Sequence, residues 1–237
     1  MDTGTIVTGF NGPFIFAFLS IILINLILSG DNAVVIAMAV RSLPAKQRRL
    51  GIAFGTAAAV VLRIGLTFIA AKLLTVQGLK LGGGILIAYV AVKLFVEGAP
   101  DEKLSEGAGT LKQAIITIII ADLVMSLDNI LGVAGACKGN LPLLIFGLGL
   151  SIPFVVFTSG LLTTLMDKYS AIVYIGAMIL GRVAGDMIMT DPYTERVLHP
   201  GKFAEYAVQI IFAVGVIIVG KLWMKWKIKR EEQHSTE

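Results

Sequence analysis

The sequence is poor in the residues that carry most enzyme chemistry. Its 237 residues include one cysteine and two histidines, and charged residues make up only 15% of the chain. Cys137 is alone, which rules out an internal disulfide, and without a CxxC pattern no thiol redox chemistry is expected. His199 lies in a loop and His234 in the tail, which argues against a haem pocket or a histidine-based zinc site. No Walker loop, kinase signature, Gly-x-Ser-x-Gly elbow or His-Glu-x-x-His motif is present, so we expect no enzyme.

Apolar residues dominate the chain instead. They make up 56% of it, and the mean hydropathy is +0.85, a value that a soluble domain of this length does not normally show. The apolar runs are continuous and lack the two-residue alternation of a membrane barrel strand. Seven are long enough to cross a hydrocarbon core of about 30 Å as a helix. They lie near residues 14–40, 51–74, 79–96, 111–136, 141–165, 171–189 and 206–226. The sequence therefore predicts an all-α, polytopic bundle of about seven transmembrane helices.

The basic residues favour one side of the predicted membrane. Eleven follow the odd-numbered spans: Arg41, Lys46, Arg48, Arg49, Lys103, Lys112, Lys168, Lys225, Lys227, Lys229 and Arg230. Five lie on the other side: Lys72, Lys80, Lys138, Arg196 and Lys202. Because cytoplasmic loops carry the excess of Lys and Arg, we expect the amino terminus outside and the carboxyl terminus in the cytoplasm. The basic tail is expected to be a cytoplasmic anchor at the lipid surface, and no nucleic-acid partner is expected.

An internal repeat relates two successive parts of the chain. Shifted by 97 residues, "NLILSGDNAVVIA" (25–37) falls on "DLVMSLDNILGVA" (122–134), so that Ser, Asp and Asn coincide. A weaker match, at a shift of 93, places "YVAVKL" (89–94) on "RVAGDM" (182–187). Three spans per copy is an odd number, so the second copy must cross in the opposite direction, as in the inverted repeats of secondary transporters. The prediction is one transmembrane domain over 1–237, with copies at 14–97 and 111–190, an additional helix at 205–226 and a basic tail at 227–237.

Acidic residues inside the apolar stretches mark the expected site. Asp31, Asp122 and Asp128 have no basic residue within one helical turn, and Arg63 in the second span is the nearest counter-charge by depth. A charge at the centre of a membrane helix costs at least about 2.5 kcal/mol, so an intramembrane acid indicates function by default. Gly30 favours a loosened helix at the first motif, whereas Leu127 stands at its place in the second.

Oxygen ligands at this site would favour a hard divalent cation such as Mg²⁺, Ca²⁺ or Mn²⁺. The expected ligands are Asp31, Asn32, Asp122, Asp128, Asn129, Met125 and Asp186. The Met125 sulfur would shift the preference toward a transition metal, although a lone Met in a membrane helix is usually a packing residue. Asp186 either contributes to the site or forms an ordinary helical ion pair with Arg182, as Glu97 does with Lys93.

Four segments resemble the TerC family of integral membrane proteins, most closely its YjbE-like branch: "SGDNAVVIAM", "ADLVMSLDNILGVAGA", "GTAAAVVLRI" and "GGGILIAYVAVKL". The resemblance implies a bacterial inner-membrane protein of metal-ion homeostasis, manganese export in particular, and kinship with the LysE superfamily of exporters. It points to Asp31, Asp122 and Asp128, with Asn32 and Asn129, as the site. The family's historical tellurite label fits these residues poorly, because clustered carboxylates repel an oxyanion and attract a divalent cation.

The leading hypothesis is a manganese or related divalent-cation exporter that works by alternating access between the two copies. Protons are the expected coupling ion, since no nucleotide site is present and clustered acids would bind metal and protons in competition. An accessory protein that delivers metal without transporting it is a second hypothesis, and an exporter of Ca²⁺ or an amino acid is a third. No resident cofactor is expected, and assembly into a homo-oligomer is left open.

Overall fold

The fold of the described chain is entirely helical. The computed structural model describes residues 30–73, 76–98, 109–137 and 141–234. Within these ranges only the backbone is described at 68, 70–73, 128–137, 141–148, 150–151 and 231–234. No strand occurs in these ranges, so the all-α prediction is confirmed for them. The helices are α1 (Gly30–Val40), α2 (Ala45–Leu73), α3 (Leu79–Gly98), α4 (Leu111–Cys137), α5 (Leu141–Lys168), α6 (Ser170–Met189), α7 (Pro192–Leu198) and α8 (Lys202–His234).

Most helices follow the predicted apolar runs, and some extend beyond them. Four described segments are long and apolar enough to cross a membrane: Ala45–Thr67, Leu79–Gly98, Ser170–Met189 and Lys202–Arg230. Helices α4 and α5, of 27 and 28 residues, coincide with the fourth and fifth predicted spans. Helices α2 and α8 begin before their apolar runs and α8 also continues past its own, because polar residues sustain a helix outside the hydrocarbon as well. Residues 14–29 of the first predicted span lie outside the described residues.

The short helix α7 was not predicted. It begins with Asp191 as N-cap, whose carboxylate accepts a hydrogen bond from the Tyr193 amide at 2.8 Å, and Pro192 occupies the first turn. Asp followed by Pro is a typical helix start, since both residues suit the unpaired amide groups of the first turn. The helix ends at His199, which adopts a left-handed conformation with φ of 44°. The signal is visible in the sequence but lies between two apolar runs.

The helices pack in two groups that share α3. Helix α6 packs against α3 and α8, helix α2 packs against α4 and α5, and α3 also contacts α4 and α8. The largest fully buried side chains include Phe95, Leu94, Ile118, Met166, Leu180 and Met187. These side chains belong to one continuous apolar cluster that also takes in Val34 to Val40 of α1. Helix α1 is therefore part of the core.

Glycines allow α3, α6 and α8 to approach closely. A Cβ built on Gly181 would lie 2.6 Å from the Phe212 carbonyl oxygen of α8, and one on Gly185 would lie 2.9 Å from the Gln209 Cα. A Cβ on Gly84 of α3 would lie 2.7 Å from the Ala184 carbonyl oxygen of α6. Gly181 and Gly185 form a Gly-x-x-x-Gly pair, a pattern that brings membrane helices into backbone contact.

Polar contacts at the two ends of α2 fix which connections lie together. Near Ala45, the Arg48 guanidinium contacts the Asp167 carboxylate at the end of α5, and Arg41 Nη2 donates to the Met166 carbonyl oxygen at 3.2 Å. Burial lowers the pKa of the Arg41 guanidinium, and the neighbouring Asp167 carboxylate opposes this shift. The α1–α2 connection therefore meets the end of α5, as the predicted alternation of spans requires.

At the opposite end, Asp191 joins α7 to the start of α3. Its Oδ2 accepts hydrogen bonds from the Lys80 and Leu81 amides, each at 3.1 Å, and its Oδ1 accepts one from the Gly78 amide at 3.2 Å. The residue is fully buried. A single carboxylate therefore supplies acceptors to unpaired amides at two helix starts, which is a favourable use of a buried negative charge.

Candidate functional site

A closed polar network joins α2 to α4 inside the bundle. Arg63 Nη2 lies 2.5 Å from Asp122 Oδ1, and Arg63 Nε donates to Ser126 Oγ at 3.1 Å. Ser126 Oγ in turn donates to Asp122 Oδ2 at 3.2 Å. The exposed fractions of Arg63, Asp122 and Ser126 are 5%, 6% and 0%. Both oxygens of the Asp122 carboxylate are thus engaged in a buried ion pair.

The spacing of these residues explains how they meet. Asp122 and Ser126 are four residues apart and share a face of α4. Helix α2 crosses this face closely at Gly55, where a Cβ would lie 2.7 Å from the Ile118 side chain. Arg63 lies two turns further along α2 and Asp122 one turn further along α4. The Arg63 guanidinium therefore reaches the Asp122 carboxylate. The depth of the two residues in their predicted spans did not establish this contact.

Asp31 and Asn32 lie at the described start of α1. Asn32 is buried, whereas Asp31 is half-buried. The Arg182 side chain of α6 is exposed and interacts electrostatically with the Asp31 carboxylate. Of Asp31 and Asp122, one from each predicted copy, Asp122 has an arginine of another helix within hydrogen-bonding distance.

The helix is regular at both predicted motifs, as far as it is described. Gly30, Asp31 and Asn32 are already α-helical, and α4 continues without a break from Leu111 to Cys137. The loosening predicted at Gly30 is therefore not seen at residues 30–32. A single glycine is tolerated in a helix, because it costs only about 1 kcal/mol relative to alanine.

The remaining predicted ligands fall in different surroundings. Met125 is buried in the apolar cluster. Asp186 accepts a hydrogen bond from Gln209 Nε2 at 2.7 Å, which links α6 to α8. Asp128 and Asn129 belong to the α4 backbone, but their side chains lie outside the described residues. Among the side chains that are described, no group of three or more His, Cys, Asp and Glu is placed to hold a metal ion.

Three polar residues of the interior were not part of the predicted site. Ser126 was noted in the repeat and not as a partner of Asp122, although its i+4 spacing is the signal. Gln209 is a lone amide in an apolar run of α8, which is the same kind of signal as an intramembrane acid. Thr56 is 2% exposed, and its hydroxyl has no hydrogen-bond partner among the described residues. The predicted Lys93–Glu97 ion pair is confirmed at 3.9 Å.

A family model described as "Integral membrane protein TerC family" matches residues 10–232. The chain belongs to the TerC family. It is therefore a multi-pass integral membrane protein, and the resemblance read from the two Asp-Asn motifs is confirmed at this level. Kinship with the LysE superfamily stays a prediction, as does the inverted repeat.

Three relatives from Bacillus subtilis (strain 168) are similar to this chain. "Uncharacterized membrane protein YjbE" is 43% identical over 178 residues, which cover 75% of this chain and 81% of the relative. "Uncharacterized membrane protein YceF" is 25% identical over 174 residues, covering 70% and 67% of the two chains. "Uncharacterized membrane protein YkoY" is 26% identical over 163 residues, covering 63% and 48%. No solved structure matches the chain.

Proposed function

We propose that this TerC family protein exports a divalent cation, manganese in particular, from the bacterial cytoplasm by alternating access. The observation that carries the proposal is the buried Asp122 carboxylate of α4, held within a bundle of apolar helices and joined to α2 by Arg63. A charged group inside a membrane-spanning bundle is costly, so its presence favours a functional role such as transport. Membership of a family of integral membrane proteins supports the same interpretation.

The ligand chemistry favours a cation over an oxyanion. Carboxylates and amides are hard oxygen donors, and Asp31, Asn32, Asp128 and Asn129 lie in matching motifs of the two predicted copies. The Met125 sulfur on the same helix as Asp122 and Asp128 would favour Mn²⁺ over Ca²⁺ or Mg²⁺. Asp186 would contribute from α6 if its contact with Gln209 is exchanged for the ion.

Export needs an energy source. Moving a divalent cation outward against an inside-negative potential costs about 4.6 kcal/mol per 100 mV, twice the single-charge value. No nucleotide-binding motif occurs in the sequence. We therefore assign the driving force to inward proton flow, with the two predicted copies moving against each other around a site near the midplane.

One observation favours a second candidate, the export of a zwitterionic amino acid. Arg182 is exposed on α6, which contacts α1, the helix that carries Asp31. A guanidinium beside a carboxylate is complementary to the carboxylate and ammonium groups of such a substrate. This candidate predicts that an amino acid gradient, and not a manganese gradient, drives flux through the purified protein.

Ion binding by the purified protein tests the proposed substrate class. We expect calorimetry in detergent to show saturable binding of Mn²⁺ that is tighter than binding of Ca²⁺ or Mg²⁺. Substitution of Asp31 or Asp128 by Asn should weaken Mn²⁺ binding at least about tenfold, since each removes a charged ligand. Asp167→Asn at the exposed end of α5 is the matched control and should leave binding unchanged. Equal binding by all four proteins would refute the site.

A further inference from the structure

The Asp122 carboxylate is occupied by the protein itself. Arg63 Nη2 takes one oxygen at 2.5 Å and the Ser126 hydroxyl takes the other at 3.2 Å. The arginine also donates to Ser126, so the three side chains close a ring of hydrogen bonds. A metal ion cannot take both carboxylate oxygens while the guanidinium stays in place. The Asp122 carboxylate is therefore neutralised by an arginine of the protein itself.

Neutralisation matters because a carrier that exchanges its cation for protons must return without the cation. A carboxylate that is buried without a counter-charge is strongly unfavourable, and breaking a buried pair by removing one partner is far more damaging than replacing both. A loaded carrier has the cation to neutralise its carboxylates. The carrier without its cation needs other positive charges: protons supply them at the coupling acids, and Arg63 supplies one to Asp122.

The two partners sit on different helices that pack closely against each other. Arg63 belongs to α2, in the first predicted copy, and Asp122 belongs to α4, in the second. The guanidinium is carried on a long flexible side chain, whereas Ser126 lies on the same helix as Asp122 and stays with it. Both bonds of the ring that cross from α2 to α4 are made by the Arg63 side chain, so a change of its conformation alone would release Asp122.

We propose that Arg63 is a tethered counter-cation that occupies Asp122 when the carrier is empty and leaves it when a divalent cation binds. This proposal rests on the proposed export function and adds a role for a residue outside the expected ligand set. Arg63 is a positioning residue in this account, since it touches the carboxylate and not the transported ion.

Removing the tethered charge should separate two kinds of transport. In Arg63→Gln, the loaded carrier is still neutralised by the cation, so exchange of Mn²⁺ for Mn²⁺ across the membrane should continue. The empty carrier would carry a bare buried carboxylate, so net efflux into a Mn²⁺-free medium should fall.

Proteoliposomes loaded with radioactive Mn²⁺ test this proposal. We expect Arg63→Gln to lower the ratio of net efflux to exchange by about tenfold or more, the size expected for an uncompensated buried charge. Lys93→Gln, which removes the cation of the 3.9 Å pair with Glu97 near the end of α3, is the matched control and should keep the ratio. An unchanged ratio in Arg63→Gln would overturn the proposal, whether both fluxes are kept or both fall equally. Absence of any Mn²⁺ flux in the unaltered protein would instead refute the export function.

A measurement on the unaltered protein guards against a variant that fails to fold. Arg63 is only 5% exposed, so phenylglyoxal should label it slowly in the absence of metal. Saturating Mn²⁺ should raise labelling of Arg63 severalfold, as read by mass spectrometry of the peptides. Arg230 near the end of α8 is exposed and serves as the internal control with constant labelling. Labelling of Arg63 that does not respond to Mn²⁺ would show that the ion pair is only structural.

Discussion

Gly83 of α3 and Gly176 of α6 lie at matching positions of the two predicted copies, at the same shift of 93 residues that aligns 89–94 with 182–187. A Cβ on Gly83 would lie 2.7 Å from the Val124 side chain of α4, and one on Gly176 would lie 3.1 Å from the Val34 side chain of α1. Each glycine thus admits the first helix of the other copy. The inverted repeat itself stays a prediction.

Glycine should be needed for stability where two helices cross closely, and not at neighbouring positions with free space. Gly84→Ala places a methyl group 2.7 Å from the Ala184 carbonyl oxygen, so the free energy of unfolding should fall by about 1–3 kcal/mol. Gly82 lies two residues earlier, and a Cβ built there meets no atom of another helix within 4 Å. Gly82→Ala should therefore be neutral or raise the free energy of unfolding by up to about 1 kcal/mol. Thermal unfolding in detergent measures both, and equal effects would contradict this helix packing.

Asp191 should be the most important acidic residue for stability outside the bundle interior. Asp191→Ala removes the acceptor of the Gly78, Lys80, Leu81 and Tyr193 amides, and we expect it to cost about 2 kcal/mol or more. Glu195→Ala in the same short helix is exposed and should change stability by less than about 0.5 kcal/mol. Similar unfolding temperatures for the two variants would argue against this double cap.

The apolar pattern predicted most of the fold because hydrocarbon imposes helices and fixes their minimum length. It could not predict α7, or the polar starts of α2 and α8, since these lie where water satisfies the backbone and hydrophobicity carries no signal. The site was predicted as a set of acids, and the partners of those acids were not. Whether Arg63 reaches Asp122 depends on the α2–α4 crossing at Gly55, which is a tertiary property.

Buried and exposed ion pairs of this chain should differ sharply in their energetics. Asp122→Asn leaves Arg63 as an uncompensated buried charge, so we expect a loss of about 3–5 kcal/mol. Asp167→Asn weakens a pair whose carboxylate is 42% exposed, and it should cost less than about 1 kcal/mol. Arg63→Gln/Asp122→Asn should recover part of the Asp122→Asn loss. A double-mutant cycle with no coupling between residues 63 and 122 would contradict the observed contact.

The buried hydroxyl of Thr56 should be dispensable. Thr56→Val keeps the shape and removes a polar atom that has no hydrogen-bond partner among the described residues, so stability should rise by about 1 kcal/mol. Thr163→Val is the matched control, because its hydroxyl donates to the Ser159 carbonyl oxygen at 2.7 Å, and it should be destabilising or neutral. A folded Thr56→Val protein with impaired Mn²⁺ flux would place this hydroxyl on the ion pathway.

Efflux of Mn²⁺ from proteoliposomes under an opposing proton gradient tests the central claim most directly. The purified, unaltered protein should release loaded Mn²⁺ faster when a proton gradient drives protons into the vesicles. Asp31→Ala or Asp128→Ala should abolish this release, whereas Asp167→Ala should keep it. Release that is the same with and without the Asp31 and Asp128 carboxylates, or no release from the unaltered protein, would contradict the account.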